Sequence, residues 1–244
     1  MDMTDAAVLY LVCSDRMYSG KTLLARMLVD WLLLKDAGPQ VIDLDAPAHP
    51  LAGLYPDMGL KVDFDHTLGR VELFDGIVSQ PDVHRVLELP VLHMEAFLRE
   101  AGNLEFFEAV VAAGGHVALL HLLDPSPAFV DRARRLTESL PRGAYYYLVR
   151  RAGPDDAAEG TETAAVREEL KCDGEIQVPR LSAEALTFFE KPDFSLAALM
   201  NGDIAASEPV LRYELHHLAQ TMFAQFNRIA LQMEIEAFRD SGVV

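Results

Sequence analysis

The chain has 244 residues, half of them apolar, with a formal net charge of −17. That length and apolar share suffice for a sizeable buried core and exclude a disordered chain, while the acidic excess disfavours direct DNA binding and attachment to anionic lipid through the overall field. The two cysteines are far apart and form no CxxC pair, so neither a disulfide framework nor a zinc ribbon is expected.

The first predicted strand, Val8–Val12, opens the most informative stretch, VLYLVCSDRMYSGKT (8–22), which then runs into the Leu-rich helical pattern Lys21–Ala37. A strand, a loop ending Ser19-Gly20-Lys21-Thr22 and a helix form the order of a phosphate-binding loop. In such a loop backbone N–H groups and the helix N-terminus cradle phosphates, the Lys reaches the terminal ones and the Thr hydroxyl ligates Mg²⁺. The first glycine of GxxxxGK[ST] is replaced by Asp15, and Met17 and Tyr18 stand where glycines often let the backbone approach a ligand.

Gly38-Pro39 stops the helix, and Gln40–Leu44 reads as the second strand, ending in Asp43 and Asp45. Further strands are expected at Val71–Leu73, Val86–Leu89, Val117–Leu122, Tyr145–Val149 and Glu175–Val178, with helices over 93–113 and Pro127–Leu140. Strands alternating with helices predict one α/β domain over 1–244: a three-layer, doubly wound, mostly parallel sheet of about seven strands. Ligands of such sheets bind beyond the carboxyl ends of the strands, where Lys21, Asp43 and Asp45 would converge. An Asp there can hold Mg²⁺ through water or orient an attacking water. The polar stretch Ala152–Thr163 reads as a loop. A long amphipathic helix is expected over 208–238, its stripe Leu211, Leu215, Leu218, Met222, Phe226, Ile229 and Met233 facing either the sheet or a partner.

Other candidates carry less. His216-His217 point to different helix faces, and His121 with Asp124 lacks any HExxH-type spacing. Arg132, Arg134 and Arg135, with Arg150-Arg151, read as exposed helix and loop-end charges. No GxSxG elbow is present, and Tyr145-Tyr146-Tyr147 reads as a strand. The acidic N-terminus and the lack of a 20-residue apolar run predict a cytoplasmic chain without a membrane span.

Along nearly its whole length the chain resembles the ParA/MinD family of P-loop ATPases, whose deviant Walker A loop reads KGGxGKT. Arg16-Met17-Tyr18-Ser19-Gly20-Lys21-Thr22 aligns with that loop, VIDLDAP (41–47) with the DxD strand, and RVLELPV (85–91) with the switch II strand, Glu88 falling on its Asp. AYYYLVRRAGP (144–154) aligns with the strand ending Leu-Asn-Arg, placing Val149 at the adenine-contacting Asn, and IQVPRL (176–181) with the last strand. Within the family the late segment and terminal helix are most similar to TraL-type conjugation proteins.

The resemblance implies ATP with Mg²⁺, held by Ser19, Gly20, Lys21 and Thr22, with Thr22 and Glu88 on the metal side. It implies Asp43 or Asp45 on the water or metal, and Arg16 reaching the nucleotide of a second copy in a homodimer. A dimerising ATPase switch serving a protein partner in plasmid transfer, partition or positioning follows. The departures at Asp15, Met17, Tyr18, Glu88 and Val149 define the alternative: a pseudo-ATPase that keeps the fold and acts as a non-catalytic interaction protein.

Overall fold

A computed structural model describes residues 6–45, 48, 50–123, 127–152, 169–170, 172–204 and 208–240. Seven strands form one sheet in the order β3-β2-β4-β1-β5-β6-β7, and every pairing is parallel. The strands are β1 (Val8–Ser14), β2 (Gln40–Asp43), β3 (Gly59–Lys61), β4 (Arg85–Glu88), β5 (His116–Leu122), β6 (Ala144–Arg151) and β7 (Gly174–Val178). β1 is buried at all seven positions, because parallel strands with helices on both faces show no side to water. The fold class is the expected one.

Two apolar layers flank the sheet, and alternate residues of each strand feed them. Tyr10 and Val12 of β1 enter the layer holding α1 (Lys21–Leu34), α7 (Leu196–Asn201) and α8 (Pro209–Asp240). Leu9, Leu11 and Cys13 enter the other, with α2 (Thr67–Ser79), α3 (Val91–Asn103), α4 (Phe106–Ala112) and α5 (Pro127–Ser139). That second layer holds an aromatic cluster in which Phe74 and Phe106 meet edge to face, 4.7 Å between centroids.

Two expected elements are corrected. Val71–Leu73 lies inside α2, where Leu73, Phe74 and Ile77 bury one helical face and Val71 is exposed. The remaining strand is instead β3, a three-residue edge strand, mostly exposed and therefore without an apolar run to announce it. The single helix expected over 93–113 is two, broken at Leu104-Glu105, with Glu105 in the left-handed region at φ 50°.

The stripe of the last helix is settled in favour of the sheet. Leu211, Leu215, Leu218, Met222, Phe226, Ile229 and Met233 are all buried within the chain. Phe226 packs on Trp31 of α1 at 5.6 Å, and the Trp31 indole N–H donates to Asn227 Oδ1 at 3.0 Å. Among the described residues no helix is long and apolar enough to cross a membrane. Asp124 and the stretch 153–163 lie outside the described residues.

Candidate functional site: a phosphate-binding loop and its cleft

β1 ends at Ser14, and the chain crosses to α1 through Asp15–Gly20. Two positive-φ residues make that turn, Gly20 at 99° and Tyr18 at 56°. Gly20 caps α1 in the left-handed region and brings no side chain to accept from the first turn of the helix. The first-turn N–H groups and the positive end of the α1 dipole thus face the loop, a seat for an anion.

Lys21 is buried, and its ammonium donates back to the Arg16 carbonyl at 3.3 Å, drawing the loop together. One residue on, the Thr22 hydroxyl donates to Glu88 Oε1 at 2.9 Å. β4 neighbours β1 and runs parallel to it, with Val12 opposite Glu88, so the end of β4 is delivered beside the start of α1. Two oxygens here are buried with no hydrogen-bond partner among the described residues, Glu88 Oε2 and Ser19 Oγ. Burial pushes the Glu88 carboxyl up to about 7; the Thr22 hydroxyl and the Lys21 ammonium pull it down, while Asp43 and Asp45 push it further up.

The two aspartates of the second strand have parted roles. Asp43 is buried, and its carboxylate accepts from the backbone N–H of Asp45 at 2.8 Å, Leu51 at 2.8 Å and Ala52 at 3.0 Å. It shapes the loop that follows β2. Asp45 is exposed and lines the cleft with Lys21, Thr22 and Glu88.

That cleft has a volume of about 520 Å³. Its floor is the loop Met17–Leu23; one wall is Pro90–Leu92 after β4, and the other is Arg151 at the end of β6 with Leu186, Phe189 and Glu190 of the segment beginning α6 (Ala183–Phe189). Arg26, one helical turn beyond Thr22, ties the last wall to α1. Its guanidinium donates to the carbonyls of Phe189 at 2.5 Å, Lys191 at 3.1 Å and Phe194 at 2.8 Å, and lies over the Phe189 ring at 4.8 Å. Asp30, one turn further, accepts from Ser195 Oγ at 2.7 Å and Leu196 N at 2.8 Å.

The substitutions in the loop resolve individually. Asp15 does not line the cleft; its carboxylate turns to Arg132 of α5 at 2.6 Å, with the His121 ring nitrogen 3.7 Å away. Burial, and then repulsion from Arg132, pushes His121 down to about 3, so at neutral pH it is a neutral neighbour that also bonds the Tyr146 hydroxyl at 2.8 Å. Tyr18 is 95% exposed and Met17 64%, so neither ring nor thioether fills the cradle. Arg16 is exposed at the start of the loop. Val149 is buried in the core and does not line the cleft.

Sequence reasoning thus brought Ser19, Gly20, Lys21, Thr22, Asp45 and Glu88 to one place. It missed Arg26, Leu186 and Phe189, and took Arg151 only as part of a basic pair. Arg26 was findable, standing four residues after Thr22 on the same helical face. Of the other candidate histidines, His217 stacks on Tyr213, and no group of three metal-binding side chains occurs among the described residues.

An all-parallel sheet whose first strand leads through Ser-Gly-Lys-Thr into the first helix has the architecture of a P-loop NTPase-like fold. Comparison with family models and with curated proteins gives no match. Among solved structures, the chain is similar to a nucleotide-binding protein from Archaeoglobus fulgidus in complex with ADP, at TM-score 0.45 and 11% identity over 75% of this chain and 86% of that one. It is also similar to the cell division protein MinD of Aquifex aeolicus, at TM-score 0.42 and 16% identity over 87% of this chain and 97% of that one. The MinC:MinD complex of the same organism aligns at TM-score 0.43 and 14% identity, over 87% of this chain and 96% of that one.

Proposed function

We propose that the chain is a ParA/MinD-like P-loop nucleotide-binding protein that takes ATP with Mg²⁺. The observation that carries this reading is the juxtaposition, at a glycine-capped helix N-terminus, of Lys21, the Thr22–Glu88 hydrogen bond and the buried Glu88 Oε2, which has no hydrogen-bond partner among the described residues. A hydroxyl beside a carboxylate is a hard oxygen donor set that suits Mg²⁺, and the orphaned oxygen supplies a lone pair that the fold leaves unused. Thr22 and Glu88 would hold the ion, which would neutralise phosphate charge. Lys21 would leave the Arg16 carbonyl for the terminal phosphates, and the N–H groups of Ser19–Thr22 would carry the inner ones. With Asp43 occupied by backbone donors, Asp45 is the carboxylate placed to orient water at the cleft.

Dimerisation around the nucleotide fits the rim of the cleft. Met17, Tyr18 and Leu92, the last 83% exposed, stand out at its mouth beside the exposed Arg16. Large apolar side chains grouped on a surface mark contact sites. A switch serving a protein partner in plasmid transfer, partition or positioning rests on the sequence resemblance.

Isothermal titration with Mg-ATP and Mg-ADP tests the reading: saturable heat that Lys21→Ala abolishes is expected, and no heat at millimolar nucleotide overturns it. The interaction-protein alternative is favoured by one observation, the three backbone N–H groups that the Asp43 carboxylate accepts from, which draw one of two candidate carboxylates into shaping the loop. Binding without phosphate release over hours would decide for it.

A further inference from the structure

Arg150 and Arg151, adjacent in sequence, have different environments. Arg150 is held by Glu175 of β7 at 3.1 Å. Arg151 is exposed, lines the cleft and forms no ion pair among the described residues. Its position is fixed by the sheet: β6 lies two strands from β1 on the side opposite β4, and β6 ends level with the phosphate-binding loop. A Cβ at Gly20 would sit 3.8 Å from both Cδ and Nη1 of Arg151, and 3.9 Å from Leu122 Cδ2. The guanidinium therefore lies against the glycine that caps α1.

We infer that Arg151 is a second cationic anchor of the bound nucleotide, gripping its phosphate chain from the β6 flank while Lys21 and Glu88 work at the β4 flank. This rests on the nucleotide reading above and extends it. The charge balance of the cleft supports it: Asp45, Glu88 and Glu190 line the same space as Lys21 and the buried Arg26. Arg26 is engaged by three carbonyls, which leaves Lys21 and Arg151 to face a polyanion. A guanidinium offers several N–H donors in one plane and suits a phosphate edge. The glycine at this turn is required by its φ of 99°, which would strain any side chain; a Cβ there would reach Arg151 only at ordinary contact distance.

Because the metal side of the cleft is the Glu88 side, Arg151 acts on the inner phosphates, which ADP and ATP share. The test is isothermal titration of the intact protein with Mg-ATP and Mg-ADP, wild type against Arg151→Gln, Arg151→Lys and Arg150→Gln, with thermal melting of each free protein as the control for folding. Arg151→Gln is expected to weaken ATP and ADP alike, by about tenfold for one lost charge-assisted contact, with unchanged melting, and Arg151→Lys to recover part of the loss. Arg150→Gln is expected to stay within about twofold of wild type, because its charge is spent on Glu175. Wild-type binding with Arg151→Gln unaffected, or with Arg150→Gln equally weakened, overturns this inference alone. Absence of binding by the wild type overturns the nucleotide reading, and this inference with it.

Discussion

The Asp15 carboxylate lies 2.6 Å from the Arg132 guanidinium and is nearly buried, whereas Arg132 remains about a third exposed. An aspartate at the first position of a phosphate-binding loop would repel its ligand if it faced the cradle. Here α5 takes the charge away from the cleft and pins the start of the loop. Arg132→Ala should therefore destabilise the fold by about 1–3 kcal/mol, the cost of taking the cation from a largely buried carboxylate, and weaken nucleotide binding as well. Urea denaturation and titration of Arg132→Ala and of Arg132→Ala with Asp15→Asn check this; the second change should restore much of both losses, and equal losses with and without it would refute the pairing.

The hydrogen bond from Thr22 to Glu88 joins the start of α1 to the end of β4 at 2.9 Å. If these two oxygens hold Mg²⁺, their loss should remove the metal-dependent part of nucleotide affinity and spare the rest. Thr22→Ala and Glu88→Gln should each bind ATP about tenfold more weakly with Mg²⁺ present and about as well as wild type in EDTA, the pattern expected when a ligand to the ion is lost. Parallel titrations in the two buffers measure it, and an equal loss in both would place the residues outside the metal site.

The fold was legible wherever burial on both faces wrote an unbroken apolar run, as in β1, β5 and β6, where a helical pattern met a stop signal, as in α1, and where a long periodic stripe ran unbroken, as in α8. It was illegible at β3, a short and mostly exposed edge strand, and at α2, whose apolar residues imitate a strand over Val71–Leu73. Of the site, the loop and Glu88 could be read because a short local pattern encodes them. The carbonyls that Arg26 clamps and the Arg132 partner of Asp15 could not, since each contact joins residues more than a hundred positions apart. Nor could spacing tell that Asp43 turns to backbone N–H groups while Asp45 faces the cleft.

Asp30 gives the fold a pH dependence. Burial pushes its carboxyl up to about 6 from an ordinary 3.8, against the pull of Ser195, the Leu196 amide and Arg26. The native state then binds more protons than the unfolded chain between these values, so this group lowers stability as pH rises from about 4 to about 6, and the effect levels off above. Asn at this position can accept from the Leu196 amide and donate to Ser195 Oγ without a charge. Relative to wild type, Asp30→Asn should therefore gain stability across that window, on the order of 2–3 kcal/mol by neutral pH. Denaturant midpoints at pH 4, 5, 6 and 7 provide the measurement; a constant difference between the two proteins would mean that Asp30 titrates alike in folded and unfolded chains.

The last helix is a structural part of the core rather than an appendage, and Phe226 is its centre. The side chain is fully buried against Trp31, the chain's one tryptophan, which also donates to Asn227. Phe226→Ala should cost about 3–5 kcal/mol through lost burial and the cavity left behind. Because the cavity opens beside Trp31, the native-state tryptophan emission should shift to longer wavelength even under conditions where the variant remains folded. By contrast, Tyr213→Ala, on an exposed face of the same helix, should change stability by no more than about 0.5 kcal/mol and leave the emission alone. Equilibrium denaturation followed by Trp31 fluorescence reads both effects in one experiment, and a Phe226→Ala protein as stable as wild type would show that α8 does not pack on α1 in solution.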